Sequence, residues 1–385
     1  VDVSGYQALW RDRDVRTLLL AGIFARMPHL AAPLTFTLHV LQDLDGSYAQ
    51  AGVVAAASTV GAGIGSPWRG RLVDRLGVRR AVVPSIVVVG LLYPVAVVAP
   101  YWALVPVAFG MGLFLIPVFS ITRQSLSVMV PEEHRRAAFS IDNVFAELSF
   151  IVGPAVGILL VTQVGAAAAL AAIGACEVIA GFALLWLNPP TRSETHDEAG
   201  SSVPWMSVQV GFLFLIAVGT VFALIAADLG IIATLEESGD TGAIALVYGL
   251  WGGASLVGGL LYGAANASFR PTYLLAGLGL TAIPVGLADS VWTLALAIIP
   301  TGFLCAPTLT ASTEWIARLT PEERRGEAMG WHGSSFTAGG ALAAPSIGAA
   351  IDHVGPWGGF ALGGAVATAI AVVCWAAQLV PGRRH

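Results

Sequence analysis

A dozen apolar stretches follow one another along this chain, each about as long as a helix needs to be to cross a membrane. They read as spans near residues 17–42, 47–68, 81–99, 102–124, 137–163, 166–187, 208–234, 242–265, 272–288, 291–317, 326–350 and 356–379. A helix crosses about 30 Å of hydrocarbon with about 20 residues. Only helices and closed barrels satisfy their backbone polar groups there. The runs are continuous rather than alternating, which predicts helices and excludes a barrel. Of 385 residues, 56% are hydrophobic and only 11% are charged, against about 25% charged in a soluble domain. Such a chain cannot cover itself with polar surface, so lipid must be the solvent for most of it.

The placement of charge sets the expected orientation. The chain holds no lysine, so its 19 basic residues are all arginine. With the N-terminus inside, every arginine except Arg26 falls in an inner segment or at a span's inner end. The outer loops carry acids instead: Asp43, Asp45, Glu236, Glu237, Asp240, Asp289 and Asp352. This is the positive-inside pattern. It predicts a multi-pass protein of a bacterial plasma membrane with both termini cytoplasmic. Arg11, Arg13 and Arg16 precede the first run without a cleavage pattern, so that run reads as a retained anchor. Cys176, Cys305 and Cys374 stand singly in apolar runs, which predicts buried small side chains and no metal site.

The chain divides in two. The polar stretch from Asn188 to Ser207 separates six spans from six, opens with Pro189 and Pro190, and reads as a linker. The expected units are residues 1–187, the linker 188–207, and residues 208–385. The halves resemble each other. Pro131-Glu132-Glu133-His134-Arg135-Arg136 follows the fourth span, and Pro321-Glu322-Glu323-Arg324-Arg325 follows the tenth. Gly153-Pro154-Ala155-Val156-Gly157 is echoed by Ala344-Pro345-Ser346-Ile347-Gly348. Internal repeats around a central site are the design of many secondary transporters.

Between the second and third spans lies Gly70-Arg71-Leu72-Val73-Asp74-Arg75-Leu76-Gly77-Val78-Arg79-Arg80. Gly70 and Gly77 suit a tight turn, and Asp74 can face a helix N-terminus or a nearby arginine. This loop resembles the signature loop of the major facilitator superfamily, at the expected topological place. The resemblance covers the whole chain. It implies an all-α membrane fold of about twelve transmembrane helices in two pseudo-symmetric six-helix bundles. It also implies a conformational latch made of Gly70, Asp74, Arg75, Gly77, Arg79 and Arg80, with Arg123 at the inner end of span four as the partner of Asp74. The second-half copy is degenerate, with Ala267 where the acid would stand and only Arg270 basic. Span five is similar to the Gly-Pro motif of the superfamily's exporters, with Gly153, Pro154 and Gly157 as its packing residues. The arginine that proton-coupled drug exporters carry in span four is missing, since Val105, Pro106 and Val107 occupy its place. Gly61 and Gly65, like Gly259 and Gly263, are expected where spans two and eight meet spans eleven and five.

Ionisable residues inside a membrane are functional candidates. Arg26 and His29 share a face of span one, Asn143 and Glu147 a face of span five, and Glu177 sits midway along span six. The expectation is an Arg26–Glu147 pair near the midplane, with His29 toward a cavity and Glu177 as the other acid within reach. Asp142 is expected to meet Arg135 or Arg136, and Glu314 and His332 to be solvated span ends. Phe212, Phe214, Phe222, Trp251 and Phe303 are expected to give the second half an apolar cavity wall.

The expected function is secondary active transport by alternating access: export of small amphipathic or hydrophobic compounds, with protons as the coupling ion. Uptake of a small metabolite is the other transport reading, and a non-transporting receptor is a third. The chain shows no HExxH, no Gly-x-Ser-x-Gly and no Walker loop, so neither an enzyme nor an ATP-driven pump is expected. The expected partners are a small-molecule substrate and the lipid bilayer, with a single copy of the chain. No cofactor, metal or nucleic acid is called for.

Overall fold

The computed structural model describes residues 4–192, 205–265 and 268–379. Among these residues the regular structure is helical, with no strand. A short helix α1 (Ser4–Arg11) leads into α2 (Arg13–Gln42), α3 (Tyr48–Val98), α4 (Tyr101–Leu113), α5 (Val118–Met129), α6 (Glu132–Val164) and α7 (Ala166–Leu187). The second half holds α8 (Val208–Glu237), α9 (Ile244–Gly263), α10 (Pro271–Ala282), α11 (Val291–Leu319), α12 (Arg325–Val354) and α13 (Pro356–Leu379). Most of the linker 193–204 and the degenerate loop position Ala267 lie outside the described residues.

Local chemistry starts these helices where the sequence expects. Asp12 caps α2 by accepting from the backbone N–H groups of Asp14 and Val15. Ser47 with Gln50, and Ser290 with Thr293, form reciprocal capping boxes on α3 and α11. Each satisfies donors that a helix start leaves bare.

Among the described residues, nine helical runs are long and apolar enough to cross a membrane, counting α4 and α5 together as one. The longest, α3, has 51 residues and holds two of the expected spans, divided by a kink at Gly77. Gly77 adopts φ 74°, in the region that glycine enters without a side-chain clash. The short α10 continues into a 3-10 turn, Ile283–Leu287. The helix α12 is long enough to cross but less apolar, being rich in glycine, alanine and serine.

Span four differs from its expectation. It is broken into α4 and α5 over Phe114–Pro117. Pro117 has no N–H to donate, and its ring crowds the carbonyl four residues earlier. The break ends α4 at Leu113, and α5 starts at Val118.

Close helix contacts also differ from expectation in one place. Gly61 and Gly65 pack not on the second half but on α4, where a Cβ would meet the carbonyls of Phe109 and Leu113. The face of α3 that meets α12 is carried by Gly63, Ser66 and Gly70. Gly259 and Gly263 do meet α6, against Ser140. The α3–α4 seam is a backbone contact, since a Cβ on Gly112 would reach the Ser58 carbonyl. Gly112→Val is therefore expected to cost about 1–3 kcal/mol, seen as a lower melting temperature in detergent. Gly52→Ala, at an α3 glycine with nothing near its would-be Cβ, should leave it unchanged.

The apolar core follows the division of the chain. Three clusters draw only on residues before 188, among them Phe36, Tyr93, Val82 and Ile121. Two draw only on residues after 207, among them Ile231, Phe360 and Phe222. One cluster joins both halves, through Leu126, Phe139, Ile316 and Met329. Phe212, Phe214, Phe222 and Trp251 pack into or against these cores, and Phe303 stays partly exposed. Cys305 and Cys374 are buried, but Cys176 is exposed. Trp102, Trp186 and Trp292 stand exposed near span ends, where indole rings anchor at the membrane interface.

Candidate functional site

The residues that join the two halves form a column from the arginine-rich surface toward mid-depth. At the surface, α12 begins with a bare first turn, because Arg324 gives it no side-chain cap. Asp74 of α3 supplies that cap from the other half. Its two carboxyl oxygens accept from the backbone N–H groups of Gly326 (2.8 Å) and Glu327 (2.7 Å). These are the second and third residues of the helix, the donors that an N-cap ordinarily satisfies. Gly70 allows the approach: a Cβ there would collide with the Gly326 carbonyl. Around the cap, Gln124 Nε2 donates to Asp74 (2.5 Å), Ser120 to the Gly326 carbonyl (3.1 Å), and Arg71 pairs with Glu327.

Asp74 therefore bridges the two halves, but does not meet Arg123. Neighbouring residues of a helix point about 100° apart. Gln124 faces α3, while Arg123 faces α6, where it donates to Asp142 (3.2 Å) and Asn143 (2.8 Å). Arg75, Arg79 and Arg80 are exposed, and Arg79 donates to the Leu185 carbonyl (3.3 Å).

One level deeper, Arg26 is fully buried and pairs with Asp142 at 2.5 Å, not with Glu147. The helical repeat explains the exchange. Asp142, Gly153 and Gly157 lie within about 60° on α6. Gly153 and Gly157 face α2, where a Cβ would crowd Met27, Leu30 and Ala31. Glu147 is rotated about 140° from Asp142 and shares its stripe with Ser140 and Val144, which face α9. There Glu147 accepts from the Ser255 hydroxyl at 2.8 Å, across the halves. Asn143 also crosses, donating to Thr310 at 2.8 Å. Two guanidiniums thus share the single carboxylate of Asp142, and both stand over the Phe119 ring.

Glu314 and His332 are not solvated ends. Glu314 is buried and gathers Arg136, Arg318, Tyr262 and Ser268. His332 is buried against Ser312 at 2.8 Å. A further bond between the halves joins Ser334 to the Gly63 carbonyl at 2.7 Å. Along α3, Gly63 lies about 16 Å from Asp74. His29 and Glu177 do not join this column; both line a cavity inside the first half. Among the described residues no cluster of His, Cys, Asp and Glu could hold a metal ion.

The halves also match one sequence family. The model of the Major Facilitator Superfamily matches residues 18–235 and again residues 210–385. The chain belongs to the major facilitator superfamily. Solved superfamily structures share the fold. The human organic anion transporter MFSD10 (TETRAN) superposes with a TM-score of 0.72 at 15% identity, over 94% of this chain and 100% of its own. A bacterial homologue of the iron transporter ferroportin, with soaked iron, gives 0.71 at 17% identity, over 97% and 100%. The fucose:proton symporter FucP of E. coli gives 0.69 at 16% identity, over 94% and 98%. At these identities the likeness is one of fold. No curated protein sequence matches the chain. The family and the fold are those of membrane transporters.

Proposed function

We propose that this member of the superfamily is a secondary active transporter of a bacterial plasma membrane, working by alternating access and exporting small amphipathic or hydrophobic compounds in exchange for protons. Residues 1–187 and 208–385 are its two six-helix bundles, and the arginine-rich end faces the cytoplasm. The observation that carries the reading is the trans-capped start of α12. Two halves that close through one helix end, with the acidic end left to separate, make one of the two states that alternating access needs. The Gly-Pro stripe of α6, seated on α2, supports the export direction through its likeness to exporters.

Glu147 is the coupling group in this reading. It sits between the halves, bonded to a hydroxyl, while Arg26, its expected partner, is committed to Asp142. A carboxyl so placed exchanges a proton when the halves part. Inverted membrane vesicles with an acidic interior should take up amphipathic dyes only when the protein is present. Glu147→Gln should fold normally, lose at least tenfold of gradient-driven uptake, and keep dye exchange without a gradient. Folded protein with no dye uptake would overturn the export reading. Full gradient-driven uptake by Glu147→Gln would remove Glu147 from coupling.

A further inference from the structure

Inside the first half, away from the contacts that join the halves, lies a cavity of about 80 Å³. Its walls come from α2, both arms of α3, α4 and α7, and include His29, Phe36, Ser58, Tyr93, Met111 and Glu177. The Glu177 carboxyl is buried, with the Tyr93 hydroxyl beside it. The approach is built in. Gly174, one turn before Glu177 on α7, has no side chain, and the Tyr93 ring fills the space a Cβ would take. Tyr93 in turn stacks on Phe36 with ring centroids 6.2 Å apart. Among the described lining residues there is no arginine.

A carboxyl in hydrocarbon is normally held by a cation or it marks a ligand path. The cations nearby on α2 and α5 are already committed, since Arg26 and Arg123 share Asp142. We propose that this cavity seats the ammonium head of an amphipathic amine. Glu177 supplies the counter-charge, the stacked Tyr93 and Phe36 supply π faces that attract a cation, and His29 supplies a ring nitrogen as a further acceptor. Size argues for a head group and not a whole molecule. The volume is roughly half that of an engineered cavity that takes up benzene. The mouth argues for a tail outside. Pro33 and Thr59 line the cavity and are exposed. Along α3, Thr59 lies toward the acidic end from the Gly63–Ser334 bond, so the tail would lie in the space between the halves. This deepens the export reading by naming a cargo class, and it rests on that reading only for the tail.

The test uses the purified full-length protein and monodansylated 1,5-diaminopentane, which keeps one free primary amine, as probe, with the same compound N-acetylated at that amine as the uncharged control. Fluorescence titration should show the amine binding at least tenfold more tightly than the acetylated form. Glu177→Gln should bring that ratio to about one while the protein melts as wild type. Ala55→Phe, which fills the mouth and leaves Glu177 in place, should weaken the amine at least tenfold. A wild-type ratio near one, or a ratio unchanged in folded Glu177→Gln, overturns the proposal. Vesicle uptake of uncharged dyes separates the two readings. Glu177-dependent amine binding without any gradient-driven uptake sinks export and keeps the pocket. Uptake of uncharged dyes with no preference for the amine sinks the pocket and keeps export.

Discussion

Asp74→Ala is expected to move the protein out of the state closed at its arginine-rich end, by about a hundredfold in population, without unfolding it. Three hydrogen bonds end on that carboxyl. Two of their donors are backbone N–H groups of a helix start with no cap of its own. A net hydrogen bond is worth about 1 kcal/mol, and a buried donor left bare costs about 1–3 kcal/mol. Water reaches these groups once the halves part, so the cost falls on the closed state alone. A loss near 3 kcal/mol is about a hundredfold. The packing inside each half involves Asp74 little, so the melting temperature should change far less. A cysteine pair placed across α3 and α12 near this end should cross-link readily in the parent and slowly in the variant. Transport should fall with it. Unchanged cross-linking would show that the surrounding contacts, chiefly Arg71 with Glu327 and Ser120 with Gly326, suffice to close the halves.

Asp142→Ala is expected to be the most damaging single change in the first half, and far worse than Arg26→Met. Arg26 and Asp142 are each only about 1% exposed, and Arg123 shares the same carboxylate. Removing Asp142 leaves two guanidiniums facing each other without a counter-charge. Breaking a buried pair this way costs about 3–5 kcal/mol. Removing Arg26 instead leaves Arg123 and Asp142 as a balanced pair, still supported by Asn143. The asymmetry is the signature of two cations on one anion. Yield and melting temperature in detergent measure it directly. Equal damage from the two variants would mean that Arg26 and Asp142 act as an isolated pair.

The spans and the latch loop are legible in the sequence because lipid and topology act on composition. Twenty apolar residues in a row have few alternatives, and arginines sort to one side. The Asp74 contact is only half legible: an acid there suits a helix start or a nearby arginine, and Arg123, the partner the resemblance implies, faces α6 instead. What the sequence leaves open is which neighbour each face meets. Arg26 had two acids within reach on α6, five residues apart, and depth alone does not choose between them. The choice belongs to Gly153 and Gly157, which dock one face of α6 on α2 and carry Asp142 with it. Gln124 escapes notice beside Arg123 because a charged residue draws attention and an amide does not. Glu314 looks like a solvated end by position, yet the arginines and the tyrosine around it come from α6, α9 and its own helix. Phe222 and Trp251 could face a cavity or a core, and hydrophobicity is the same in both.

A helix whose first turn is capped by another part of the molecule carries a reporter of its own. The amides of Gly326 and Glu327 are shielded while Asp74 holds them and open to solvent deuterium when the halves part. The neighbouring turns of α12 are protected by their own helix in either state. Deuterium uptake at those two positions, read against the rest of α12, therefore measures the fraction of time the arginine-rich gate stands open. A cargo or a proton gradient that drives the cycle should change that number in the unmodified protein, without a dye, a cross-linker or a single introduced cysteine.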